Sequence, residues 1–125
     1  NTGLMPDYAE FTGQSHGGTH FSFDAWRCAM NWAMDYAWFA NDKQQIDLSN
    51  KLLDFFISKG IKTYGNQFSL DGNQISGDHS PGLVAMNAVA GLSATTNNTW
   101  QFVEALWEQP IPSGQYRYYD GMLYF

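Results

Sequence analysis

The sequence predicts an all-α fold, an array or toroid of helical pairs joined by long, aromatic-rich loops. Three observations predict it. The run FDAWRCAMNWAMDYAWFAN is apolar around most of a helical wheel. Leu48, Leu52, Phe55 and Phe56 recur at helical spacing. Ser80-Pro81 then opens a stretch of small and aliphatic residues.

Each element follows from local chemistry. The opening stretch, NTGLMPDYAEFTGQSHGGTH, is punctuated by Gly, Pro, Ser and Asn and is expected to be irregular. A first helix runs from about Asp24 to Ala40. A second, from about Leu48 to Lys59, turns its apolar residues to one face and stops at Gly60. In KTYGNQFSLDGNQI, Asp71-Gly72 lies between short runs suited to a hairpin. Ser80 is the expected N-cap of a third helix, with Pro81 at its first position, reaching about Thr95. Its Gly82, Ala85, Ala88, Ala90, Gly91 and Ala94 permit close helix contact. A fourth helix, from about Thr99 to Glu108, carries Trp100, Val103, Leu106 and Trp107 before Pro110 ends it. The last segment, PSGQYRYYDGMLYF, is a loop turning into the start of a fifth helix.

Length and composition narrow the function. At 125 residues the chain can form one domain with its own core, and neither a low-complexity tract nor a second domain interrupts it. Aromatic residues (17%) outnumber charged ones (14%), more rings than so small a core encloses, so some should line a groove. A net charge of −6 and six scattered basic residues argue against nucleic acid, whose phosphates require clustered Lys and Arg. No apolar run of about 18 residues is present to cross a membrane. Cys28, the single cysteine, excludes an internal disulfide and leaves the compartment open. Its apolar surroundings favour a core residue over a nucleophile. The chain has no basic-then-apolar leader and stops within an apolar run, so it is expected to be a piece of a longer protein.

The most informative feature is a polar stripe, Asp24, Arg27, Asn31 and Asp35, set into the first helix. At roughly 100° per residue these positions share an arc of about 80°. A helix apolar nearly all round is expected to be buried, and buried charges are costly unless paired or placed for chemistry. The stripe is therefore either the wall of a polar cleft or an internal row with Asp24 and Arg27 paired at i,i+3. Glycosidic hydrolysis typically uses two carboxyl groups within about 10 Å of each other. Asp24 and Asp35 lie roughly 16 Å apart along a helix and cannot be that pair. Asp24, near a helix N-terminus and one turn from Arg27, is favoured as a carboxylate, which suits a general base rather than a general acid.

Other constellations carry two readings each. Tyr116-Arg117-Tyr118-Tyr119-Asp120 could stack on and bond to sugars, or dock as an aromatic helix start with Arg117 paired to an acid. His16 and His20 have a spacing that a metal could use, but they sit in a Gly-rich loop without a third ligand. Asp71-Gly72-Asn73 lacks the remaining positions of a calcium loop. Asp78-His79-Ser80 is either a helix cap or a stretch that places His79 at a cleft edge.

FDAWRCAMNWAMDYAWFA, followed about 75 residues later by SGQYRYYDGMLYF, resembles the C-terminal third of glycoside hydrolase family 8. TGLMPDYAEFTG and SPGLVAMNAVAGLSAT match as well, and the likeness is strongest to the xylan-active branch, which includes the reducing-end xylose-releasing exo-oligoxylanases. The resemblance implies a fragment of an (α/α)6 barrel, with residues 1–125 as the C-terminal part of one catalytic domain. It implies inverting hydrolysis of β-1,4-linked xylan or xylo-oligosaccharides, with Asp24 as general base. Arg27 and Tyr119 match substrate-site residues, and His79 matches a loop histidine that closes the groove beyond the reducing-end sugar. The proline after it stands one place later than the family pattern, which leaves exo action open.

The family's acid glutamate lies outside these residues, so the chain alone is expected to be inactive. No cofactor or metal is implied. The expected partners are the substrate and the remainder of the barrel, with no nucleic acid and no membrane. Two alternatives stand beside this reading: an endo-acting β-1,4-glucanase of the same family, and a non-catalytic sugar-binding barrel module.

Overall fold

Among the described residues, five helices and one hairpin follow in the order α1 (Phe23–Phe39), α2 (Lys43–Lys59), β1 (Gln67–Phe68), β2 (Gln74–Ser76), α3 (Pro81–Ala90), α4 (Thr99–Glu108) and α5 (Arg117–Tyr124). The computed structural model describes residues 2–125; Asn1, the first residue of the expected domain segment, lies outside the described residues. Among these residues, no helix is long and apolar enough to cross a membrane.

α3 is the central helix, packed against α1, α4 and α5. Its small residues Gly82, Ala85, Ala88 and Ala90, all buried, make this possible. A Cβ on Gly82 would lie 2.7 Å from Asp120 Oδ1 and 3.1 Å from Leu123 Cδ1, so α5 approaches only because that side chain is missing. On α1 the buried stripe is Ala25, Trp26, Ala29 and Ala33, three small residues and one large one facing the core. Phe56 of α2 anchors the aromatic centre, with the rings of Phe21, Phe55, Tyr64 and Phe68 at 5.7, 5.2, 4.6 and 5.8 Å.

The hairpin forms where Asp71-Gly72 placed it. β1 and β2 pair antiparallel, Gln67 opposite Ser76 and Phe68 opposite Gln74, and Gly72 takes φ +88° in the turn. Phe21 and Phe68 exchange backbone hydrogen bonds of 2.9 and 3.0 Å, fastening the residues before α1 to the hairpin. Residues 2–20 of the opening stretch are irregular apart from one bridge between Ala9 and Ser15.

Two expected boundaries differ from the observed ones, and one expected capping bond is not made. α2 begins at Lys43, more than a turn before Leu48, because Asp42 caps it by accepting the Gln44 N–H at 2.8 Å. That turn is mostly polar and carries little of the apolar periodicity. α3 ends at Ala90 instead of Thr95. Gly91, Leu92 and Ser93 tighten into i→i−3 bonds, and Asn50 Oδ1 draws the Thr95 N–H away at 2.8 Å. Ser80 occupies the N-cap place but makes no capping bond: its hydroxyl accepts from Asn66 Nδ2 at 2.7 Å. The Gly82 N–H goes instead to Asp120 Oδ1 at 3.2 Å.

The expected burial of α1 fails chiefly at its C-terminal end, where Trp38 and Phe39 are both exposed; at its N-terminal end Phe23 is partly exposed beside the buried Ala25 and Trp26. Buried polar groups link the elements underneath. Trp32 Nε1 donates to Ser49 Oγ at 2.7 Å, and Ser49 Oγ lies 2.7 Å from Ser93 Oγ, joining α1, α2 and the turn after α3.

Candidate active site

The first turn of α1 holds Asp24, and three side chains shape it. Ser22 is in the N-cap place without a side-chain cap bond. Asp7 supplies the missing acceptor: its Oδ1 takes the free N–H of Asp24 at 2.7 Å and shares that of Ala25, at 3.1 Å, with the Ser22 carbonyl at 2.7 Å. Arg27 Nη2 lies 2.5 Å from Asp24 Oδ1, the i,i+3 pair expected from the spacing. Tyr119, from the start of α5, donates its hydroxyl to the Phe23 carbonyl at 2.6 Å. The Asp24 side chain keeps 39% of its surface in solvent, so the pair is neither an internal salt bridge nor a fully solvated one.

Tyr119 packs against Phe23 and Trp26, with ring centroids at 6.3 and 5.9 Å. Burial pushes its phenol up to about 12; Arg27 opposes the shift, while the carboxylates of Asp24, Asp7 and Asp120 add to it. The hydroxyl therefore keeps its proton, and stays a donor, at any ordinary pH. Burial likewise raises the Asp120 carboxyl, against the Gly82 N–H that favours its charged form.

A cavity of about 530 Å³ opens beside this turn. Phe23, Trp26, Tyr116 and Tyr119 supply its aromatic wall, and His79 and Asp120 are among its polar members. That mixture of ring faces and a few polar groups suits a sugar. Asp24 is not part of the wall; it stands on the next residue to Phe23.

His79 is held by its own protein. Its Nδ1 lies 2.8 Å from the Tyr64 carbonyl, which can only accept, so Nδ1 carries the proton. Its ring meets the Tyr64 ring edge-on at 4.7 Å. Tyr64 is buried and accepts from Asn87 Nδ2 at 3.1 Å. His79 thus lines the cavity rather than capping α3.

The polar stripe divides. Asp24 and Arg27 belong to the turn just described. Asn31 and Asp35 line a second, more open hollow of about 410 Å³ with Met30, Met34, Trp38 and Phe39, and Asp35 accepts a hydrogen bond from Gln45. Arg117 donates to the Gly114 carbonyl at 3.0 Å instead of pairing with an acid. Of the three phenols beside it, Tyr119 joins the Asp24 turn, Tyr116 reaches the cavity and Tyr118 is exposed. His16 pairs with Glu10 at 2.6 Å, and among the described residues no three His, Cys, Asp or Glu side chains gather as metal ligands would. Cys28 is half-buried, and burial pushes its thiol up, away from the thiolate that a nucleophile needs. Asp7 was not singled out by the sequence, because it acts across 17 residues of irregular chain.

Comparison with known proteins gives a consistent result. Residues 1–125 match the model for glycosyl hydrolases family 8. The reducing-end xylose-releasing exo-oligoxylanase Rex8A of Paenibacillus barcinonensis is 38% identical over 132 residues, covering 99% of this chain and 34% of the relative. The reducing end xylose-releasing exo-oligoxylanase of Halalkalibacterium halodurans is 33% identical, covering 98% and 33%. Among solved structures, a GH8 xylobiose complex from Teredinibacter turnerae superposes with a TM-score of 0.92 at 45% identity, over 98% of this chain and 33% of that one. The helical arrangement is therefore a section of the (α/α)6 barrel, and the chain spans about a third of the length of the curated relatives it matches.

Proposed function

The chain belongs to family 8 of the glycosyl hydrolases, and from that premise we propose that it is the C-terminal part of one catalytic domain that hydrolyses β-1,4-linked xylan or xylo-oligosaccharides with inversion. Asp24 is the general base. Its carboxylate takes a proton from a water molecule as the water's oxygen attacks the anomeric carbon. The glycosidic C–O bond breaks, and the departing oxygen takes a proton from an acid contributed by the rest of the barrel.

One observation carries this reading: a half-exposed carboxylate, held on a helix N-terminal turn, beside an aromatic cavity of about 530 Å³. Arg27 Nη2, 2.5 Å from Asp24 Oδ1, holds the carboxylate in place on that turn. Tyr119 keeps the sugar-facing ring wall and the base-bearing turn in register through its bond to Phe23. The aromatic wall stacks on the apolar faces of the sugar. Xylan is the substrate favoured by the likeness to two reducing-end xylose-releasing exo-oligoxylanases and to a GH8 xylobiose complex.

A second reading concerns where the chain is cut. His79, fixed to Tyr64 in the cavity wall, would close the groove and give exo action. Endo action is supported by the 28% identity, over 98% of this chain, to endoglucanase C of Ruminiclostridium cellulolyticum. The test is digestion of xylotriose to xylohexaose by the full-length protein, followed by proton NMR of the first products. The expected result is a newly formed reducing end of α configuration. A β product would overturn the inverting mechanism, and single xylose release against internal cleavage decides between the two modes.

A further inference from the structure

We propose that Asp7 is a positioning residue for Asp24: its carboxylate, reaching over from the irregular N-terminal stretch, fixes the first turn of α1 and hence the direction in which the base points. The inference rests on the reading of Asp24 as the base. It goes further by naming the group on which that base depends.

Four observations carry it. The backbone N–H of Asp24 itself donates to Asp7 Oδ1 at 2.7 Å, while that of Ala25 reaches the same oxygen at 3.1 Å and the Ser22 carbonyl at 2.7 Å. Ser22, the local candidate for this task, makes no side-chain cap bond. Asp7 is itself anchored, because its N–H donates to the His20 carbonyl at 2.8 Å. Beneath the turn, Phe21 and Ala25 are fully buried and Phe21 is bonded to Phe68 in both directions. The turn thus has a rigid floor and a single side-chain acceptor for its leading donors. A helix N-terminus without its acceptor frays within the first turn, and here that turn is the one carrying Asp24. Displacing a catalytic group by about 1 Å can cost about 100-fold in rate.

The test uses the full-length protein with Asp7→Ala, Asp7→Asn and Asp24→Asn, assayed on xylohexaose well below each variant's melting temperature. Asp7→Ala is expected to lower kcat about 10- to 100-fold with KM within about twofold of the parent, since substrate contacts are untouched. Asp7→Asn retains an acceptor oxygen and should restore most of the lost kcat. A folded Asp7→Ala with kcat within about twofold of the parent would overturn the proposal, and so would an Asp7→Asn no better than Asp7→Ala. If Asp7→Ala does not fold, Asp7→Glu takes its place. It keeps the charge but moves the acceptor by one methylene, and is expected to lose kcat with KM unchanged; parental kcat there also overturns the proposal. Near-parental kcat in Asp24→Asn would remove the base reading and this inference with it. An inactive Asp24→Asn beside a fully active Asp7→Ala would remove this inference alone.

Discussion

The two ends of α1 are made of similar residues and meet opposite surroundings. At the N-terminal end Trp26 is 1% exposed, covered by the rings of Phe23 and Tyr119, and the leading N–H groups have an acceptor in Asp7. At the C-terminal end Trp38 is 70% and Phe39 62% exposed, and the helix stops at Ala40 in the left-handed region with φ 49°, where glycine is usual. Composition decides how many rings a helix carries. Which of them are enclosed is decided by segments far away in sequence, here by the Tyr119 ring. The enclosed end is also the end that holds the Asp24 carboxylate, paired there with Arg27.

The largest stability effect should come from opening the enclosed end. Trp26→Ala removes a fully buried indole from between two rings and is expected to cost about 3–5 kcal/mol in chemical denaturation. A loss below about 1 kcal/mol would mean that the two ends differ less than their exposures imply.

A smaller effect is expected at the clamp. Tyr119→Phe deletes the bond to the Phe23 carbonyl and should cost about 1 kcal/mol at neutral pH. The pH dependence sharpens this prediction. The folded phenol is raised to about 12 from the ordinary 10, so its contribution is complete below pH 10 and lost as pH rises from 10 through 12. Thermal unfolding of the parent should show that alkaline decline, and Tyr119→Phe should show less of it. Identical alkaline profiles would separate Tyr119 from the stability of this turn.

Much of the fold was legible because short-range chemistry determines it. α4 begins and ends where Thr99 and Glu108 were read, bounded by Asn98 and by Pro110. The hairpin sits around Asp71-Gly72, and the Asp24–Arg27 pair follows from helical spacing alone. The start of α2 was missed because Lys43 to Asp47 are largely polar and the helix begins at a cap, not at an apolar residue. The end of α3 was missed because Asn50, some 45 residues away, draws off the Thr95 N–H.

The site shows the same division. The residue types and the helix that carries the carboxylate were readable. The fastenings were not, since Asp7, Tyr119 and His79 all bind backbone groups of other elements, and a backbone N–H or carbonyl leaves no mark in the sequence.

The most direct test of the account is the turnover of Asp24→Asn in the full-length protein, measured together with its affinity for xylohexaose. The asparagine keeps the shape of the turn and removes the proton acceptor. The account predicts a kcat lower by about 10²- to 10⁴-fold, with Kd for the oligosaccharide within a few-fold of the parent. A folded variant that turns over near the parental rate would contradict it.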